Sequence, residues 1–444
     1  MKAKLKKYIF FVLDLIPLPG GESLGQLWAQ GGFRRYFFNT GWMLAGQFFN
    51  MAVAFFIGVW IARYLGPFNY GLINYAVGFA GLFTFLIGFG VDAVLNRELV
   101  KTPERRDKLI VNGLWIKLFG AVLAITLVNV LSSVLRNDAL SRLLIFIASL
   151  TFIFQVFGVI NLYFQSQVLS KWNFVAQLAS SLISISVKLF LIYFHFGIIW
   201  FTSVYVLDSV TITFFIVFIF YKHKQRFVWA IDWAVILGLL RDSWPLMFTM
   251  IATTIYLDID QIMLKFMLSP AAVGVYSVAV KLSEIWYFIP NILCASLFPA
   301  IVNAKKTSRQ SYYSRLSKLY RLMLSLAVLV AVPLFFLGHW VISWLFGRAY
   351  LGAVVPLQIY IWSGIPIFFM AALVQYLIAE NQTKLYFLAT VSGAVVNIGL
   401  NLILIPRLGI VGSAWATLVS YCMPVLILLF SKQIREQLSL IFYS

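Results

Sequence analysis

The sequence is poor in the residues on which most soluble chemistry depends. Two of its 444 residues are cysteines, Cys294 and Cys422, and both sit inside apolar runs. That excludes a disulfide framework and a cysteine zinc site. The three histidines, His195, His223 and His339, are far apart in the chain, which argues against a metal or catalytic centre built on imidazole. Charged residues make up 11% of the chain, and only 15 residues are acidic. A soluble domain needs more polar surface than this. The alternating pattern of a membrane β-barrel is missing. Loops reach about twenty residues at most, too short for a separate catalytic domain.

What the chain has in abundance is apolar length. Hydrophobic residues make up 62% of it, and the mean hydropathy is +0.92. Run after run approaches the roughly 20 residues that a helix needs to cross a bilayer. Backbone groups in lipid must be satisfied within the segment, so these runs are expected to be helices. Twelve spans are expected: 38–62, 71–95, 111–135, 142–165, 174–195, 198–221, 243–267, 271–297, 318–346, 354–379, 385–405 and 410–431. The fold class is an all-α membrane protein of two six-helix bundles, 38–221 and 243–431. A linker, 222–242, joins them, and a tail, 432–444, follows. Lys2, Lys4, Lys6 and Lys7 precede a short apolar run, Tyr8 to Leu18. That resembles a signal peptide, but no small-residue cleavage site follows. Residues 1–37 are therefore expected to form a basic segment lying on the membrane face.

An even number of crossings puts both termini on one side. Of the 34 Lys and Arg, six (Arg63, Arg136, Arg142, Lys265, Arg348 and Arg407) fall on the side opposite the termini, and Lys117, Lys188 and Lys281 lie within spans. The rest share the side of the termini, concentrated in 97–108, 222–241 and 305–321. By the positive-inside rule that side is cytoplasmic. The net charge of +19 is thus chiefly a topology signal rather than a nucleic-acid footprint, although such loops also attract anionic headgroups.

The chain carries an internal repeat. Leu65, Pro67, Gly71, Ala76 and Val77 match Leu268, Pro270, Gly274, Ala279 and Val280 without a gap. Proline ends one helix and glycine allows a tight start to the next. A weaker echo sets Tyr163, Lys171, Phe174 and Leu189 over Tyr376, Lys384, Phe387 and Leu402. Parallel repeats around a central cavity are a transporter design. Prolines 245, 290, 333, 356, 366 and 424 fall inside spans of the second half, and none falls inside a span of the first. They are read either as bending points or as static kinks.

Ionisable groups within a bilayer are costly, so each is a functional candidate. Here they are Asp92, Lys117, Lys188, Asp208, Asp258, Asp260, Lys281 and Glu284. Depth counting at about 1.5 Å per residue sets Lys188 level with Asp208, and Asp258 level with Lys281. One Lys–Asp pair is expected in each half, either fixing helix register or lining a cavity. Asp258 and Asp260, two apart, point to nearly opposite sides of their helix. Lys281 and Glu284, three apart, share a face. Arg63 and Arg97, at helix ends, add positive charge, and a spare carboxylate suits proton or sodium coupling. Aromatic residues, 17% of the chain, suit packing, interfacial belts and stacking on sugar rings.

Four segments together carry a family resemblance: Asn39–Trp42 (NTGW), Ala62–Pro67 (ARYLGP), Tyr70–Gly71 and Phe89–Lys101 (FGVDAVLNRELVK). They resemble the polysaccharide transporter family, the Wzx-type branch of the MOP exporter superfamily. The resemblance implies a MATE-like pair of bundles with alternating access. It implies a polyprenyl-diphosphate-linked oligosaccharide as cargo, flipped from the cytoplasmic to the outer leaflet of a bacterial inner membrane. It also implies a place in surface polysaccharide, lipopolysaccharide or O-antigen synthesis, beside membrane lipids and polysaccharide polymerase machinery. It implies cavity cations, for which Arg63, Arg97, Lys117, Lys188 and Lys281 are the candidates. Asp92, Asp208, Asp258, Asp260 and Glu284 are left as ion-coupling or charge-pair candidates. No cofactor is expected. Two other readings compete: a cation-coupled drug antiporter of the same superfamily, and a membrane glycosyltransferase or ligase.

Overall fold

Apolar runs that must satisfy their own backbones are found as helices throughout a computed structural model of the chain. It describes residues 31–223, 231–380, 382–431 and 434–435. Most of the basic N-terminal segment, residues 224–230 of the linker and most of the C-terminal tail lie outside the described residues. The helices, in chain order, are α1 (Gly31–Gly81), α2 (Thr84–Gly88), α3 (Val91–Lys101), α4 (Arg106–Val134), α5 (Ala139–Ser149), α6 (Thr151–Gln155), α7 (Gly158–Ser166), α8 (Lys171–Tyr193) and α9 (Ile198–Lys222). The second half has α10 (Trp233–Met267), α11 (Pro270–Glu284), α12 (Phe288–Thr307), α13 (Arg309–Leu345), α14 (Val354–Tyr360), α15 (Gly364–Ala379), α16 (Thr383–Leu408) and α17 (Ile410–Leu428).

Eleven stretches of the described residues are long and apolar enough to cross a membrane. The first, Phe38–Lys101, has 64 residues, far beyond one crossing, and α1 is kinked at Gly66, where φ is +69°. Divided there, it supplies two crossings, and twelve result, six in each half.

Crossings 2, 4, 8 and 10 are broken, and the other eight each run through as one principal helix. The second crossing breaks at Leu82–Phe83 and again at Phe89–Gly90, both of which take positive φ. The fourth is divided among α5, α6 and α7. In the second half the eighth breaks at 285–287, and the tenth runs through two 3₁₀ turns, Arg348–Ala353 and Ile361–Ser363. Crossings 2 and 8, and 4 and 10, are equivalent positions of the repeat, so the duplication extends to where the helices are interrupted.

The halves meet principally where α1 packs on α11. A Cβ placed on Gly71 would lie 1.8 Å from the Pro270 carbonyl oxygen, and one on Gly274 would lie 2.0 Å from that of Pro67. The two copies of the repeated turn therefore cross each other reciprocally, backbone on backbone, and only glycine permits so close an approach. Tyr350 reinforces this end by donating to the Ala62 carbonyl at 2.7 Å, as does Lys265 by donating to Asn137 at 2.6 Å. At the other end, which carries the basic loops, Arg97 reaches Asp242 at 2.7 Å and Lys108 reaches Asp232 at 3.4 Å.

Candidate transport cavities

Helix α8 presents Gln177, Ser180, Ser181, Ser184 and Lys188 at helical spacing, so they form one polar stripe. The stripe lines a cavity of about 420 Å³ walled by the first half, with Asn50 and Tyr70 of α1 and Asp208 of α9, and Lys281 of α11 reaches it from the second half. Lys188 Nζ lies 3.2 Å from Asp208 Oδ2. Across the cavity Lys281 donates to the Tyr70 hydroxyl at 2.6 Å, and its ammonium stands 4.8 Å from the centre of that ring. The cavity thus holds two ammonium groups, from opposite halves, against one carboxylate.

A second cavity, of about 460 Å³, continues toward the basic end and shares Ser209 and Ile212 of α9 with the first. Its charged residues are Lys117 of α4 and Asp92 of α3, whose side chains meet at 2.6 Å. The depth count pairs Lys188 with Asp208 and Asp258 with Lys281 but not these two, although they lie near the same end of consecutive crossings, and the packing turns them toward each other.

Asp258 and Lys281 do not pair. Equal depth leaves the direction around the helix open, and the two residues face different neighbours. Asp258 faces α1, its Oδ2 3.5 Å from where a Cβ on Gly81 would lie, while Lys281 is taken by Tyr70. Asp260 faces into the second half. There it accepts from Tyr276 at 2.9 Å, from Asn401 at 2.6 Å and from Thr417, and it is buried. Asn401 in turn donates to Asn397 at 3.1 Å, and Asn397 to Ser420 at 3.2 Å. Asn401 Oδ1 and Ser413 Oγ are buried with no partner among the described residues. No described ion pair neutralises Asp260. Glu284 accepts from Tyr360 at 2.7 Å, away from Lys281. Arg97 belongs to the contact at the basic end. Arg63 stands at the opposite end, in a surface pocket with Trp60, Tyr64 and Tyr193, apart from both cavities. Charge counting misses the neutral partners of Asp260, which are Tyr276, Asn401 and Thr417, and for these the sequence offers no signal beyond their places in spans eight, eleven and twelve.

No curated protein sequence matches the chain. Among solved structures, the lipid II flippase MurJ in an inward closed conformation is 20% identical. That match covers 89% of this chain and 88% of the other, with a TM-score of 0.70. An inward-facing multidrug resistance MATE family transporter of the MOP superfamily is 14% identical, with 89% and 95% covered and a TM-score of 0.70. An outward-facing MATE family transporter of the same superfamily is 14% identical, with 92% and 96% covered and a TM-score of 0.57. These likenesses establish the fold. The family model described as "Polysaccharide biosynthesis protein" matches residues 37–305, more than half of the sequence. By that match the chain belongs to the polysaccharide biosynthesis protein family, built on the fold of the MOP superfamily transporters.

Proposed function

We propose that this protein flips a polyprenyl-diphosphate-linked oligosaccharide from the cytoplasmic to the outer leaflet of a bacterial inner membrane, for surface polysaccharide synthesis. The observation that carries the reading is the first cavity. It sets two ammonium groups from opposite halves beside a stripe of serine and amide side chains. A diphosphate meets the cations, and sugar hydroxyls meet the stripe. Such a head is too polar to cross hydrocarbon unaided and needs a sheltered path. In this reading 38–221 rocks against 243–431 about a fixed site. The basic end faces the cytoplasm by the positive-inside rule, and the glycine crossing closes the outer side. O-antigen and other surface glycans are the cargo class.

The buried Asp260 carboxylate supports cation coupling. A buried charge without a protein cation is completed by a proton or a small ion. The side-chain oxygens of Asp260, Asn397, Asn401 and Thr417 would hold a sodium ion, and the carboxylate alone would hold a proton. A drug antiporter would use the same coupling. The paired cavity lysines favour an anionic cargo over a cationic drug.

The test is a leaflet assay. Proteoliposomes containing the full chain and a fluorescent polyprenyl-diphosphate oligosaccharide are probed with an impermeant quencher. Transport is expected from the native chain and a severe loss from Lys188→Gln/Lys281→Gln. Equal rates in protein-free vesicles, or an unaffected double variant, would overturn the assignment.

A further inference from the structure

We propose that the Lys117–Asp92 cavity is a second anion-binding station, in which Asp92 is a displaceable counterion that a diphosphate replaces. The inference deepens the flippase reading and rests on it. Lys117 is buried, with its side chain 6% exposed, while that of its partner Asp92 is 52% exposed. The cation is therefore fixed in the wall, and the carboxylate stands at the face of the cavity, where it can turn away. An oxyanion entering between Thr84, Gln155 and Asn161 competes with Asp92 for the same ammonium. The first cavity repeats the plan, with Lys188 15% exposed and Asp208 34% exposed. A pair that served only to lock helix register would gain nothing from leaving its acid the more open member in both places.

Two further features fit. The break at Phe89–Gly90 starts α3 at Val91, so the positive end of an 11-residue helix lies beside Asp92 and adds to the field that Lys117 supplies. The shared wall at Ser209 and Ile212 joins the two stations into one path. At rest Lys117 and Lys188 are each neutralised by an aspartate, which spares the empty carrier two uncompensated cations. When loaded, the phosphates take the place of the carboxylates, and the charge balance of the cavity is kept.

The design makes an unusual demand. Removing Asp92 frees Lys117 for the ligand, so Asp92→Asn should tighten anion binding, roughly tenfold on the scale of close charge pairs. Loss of a purely structural partner would leave binding unchanged or weaken it. The experiment measures binding of two probes, inorganic pyrophosphate and a polyprenyl diphosphate, to the full chain in phosphatidylcholine nanodiscs. Asp92→Asn is expected to bind more tightly. Lys117→Gln is expected to bind less tightly, and the double variant to follow Lys117→Gln. Lys117→Arg, which keeps the charge, should restore binding if Lys117→Gln lowers the melting temperature. Binding of both probes identifies the free diphosphate as sufficient, and binding of the polyprenyl probe alone ties the site to the lipid. Either supports the station. If Lys188→Gln weakens binding but neither Asp92→Asn nor Lys117→Gln alters it, the second station is overturned and the flippase reading stands. If the native chain binds neither probe, both fall.

Discussion

Replacing Gly71 by alanine tests the crossing that joins the two repeats. The new methyl would sit 1.8 Å from the Pro270 carbonyl oxygen, 2.7 Å from the Gly274 nitrogen and 2.8 Å from the Pro270 carbonyl carbon. All three are backbone atoms, so no side chain can move aside, and the helices must part by roughly 1.5 Å to regain ordinary contact. Overpacking of this kind costs about 1–3 kcal/mol. The cost falls on the closed crossing alone, so it moves the balance between closed and open states roughly 5–150-fold toward open. Gly274→Ala meets the Pro67 carbonyl in the same way and should act alike. The double variant should cost less than the sum, because one separation relieves both contacts. The assay is labelling of Ser209→Cys on the cavity wall by an impermeant maleimide, in a chain with Cys294 and Cys422 replaced by alanine. Labelling from the outer side should rise in Gly71→Ala. Gly399→Ala, with nothing within 4 Å of the added carbon, is the control and should change nothing. Unaltered labelling and melting temperature in Gly71→Ala would refute the closure.

Three other perturbations follow from the same geometry. Tyr70→Phe removes the hydroxyl 2.6 Å from Lys281 and should cost about 1.5 kcal/mol in stability; an unshifted thermal melt would contradict the contact. Asp260→Asn should keep the fold but abolish dependence of transport on a sodium or proton gradient, and transport that still follows the gradient would remove Asp260 from coupling. Partial burial pushes the Asp138 carboxyl up, but the Ser141 hydroxyl and amide and the Lys265 ammonium together hold it below its ordinary value of 3.8. A lowered carboxyl stabilises the fold above its unfolded value and loses that contribution as pH falls through the folded one. The difference in melting temperature between native protein and Asp138→Asn should therefore stay constant from about pH 7 to pH 5 and shrink only in stronger acid.

The sequence is most legible where the bilayer imposes a rule. Twelve crossings, their approximate bounds and the repeat at Leu65–Val77 and Leu268–Val280 follow from apolar length and a matched turn. Depth counting also sets Lys188 level with Asp208, and the two side chains do meet. It fails for Asp258 and Lys281, because rise along a helix is read from the count of residues, while direction around it depends on how the helices are rotated in the bundle. The break in the eighth crossing falls at Ile285, Trp286 and Tyr287, and Pro290, one of the prolines read as bending points, sits in the first turn of the helix that follows. Packing and the Tyr287–Ser363 hydrogen bond hold that turn, and neither can be read from local composition. The Asp260 network stayed hidden for a related reason. Its partners are neutral side chains drawn from three helices, and they draw no notice until the fold gathers them.

The two ends of the molecule are held by different physics, and the difference bears on how the halves part. At the basic end Arg97 and Asp242 are 47% and 51% exposed, and Lys108 is 60% exposed. Exposed ion pairs of this kind contribute little and weaken with salt. At the opposite end the contact is backbone on backbone at Gly71 and Gly274, buried and close. Opening toward the basic end is therefore the easier motion, and it presents the cavity to the side on which the positive-inside rule puts the cytoplasm. Opening the other way must separate the glycine crossing, and a ligand shifts such a balance only by binding one state better than the other. Lys188 belongs to the first half and Lys281 to the second. In the proposed function a diphosphate held by both would tie the halves together, so its best fit would come with a particular angle between them. Under that reading, cargo that binds best when the basic end has closed behind it would supply the energy that releases Gly71 from Gly274, and an empty cavity, its lysines held by Asp208 and Tyr70, would not.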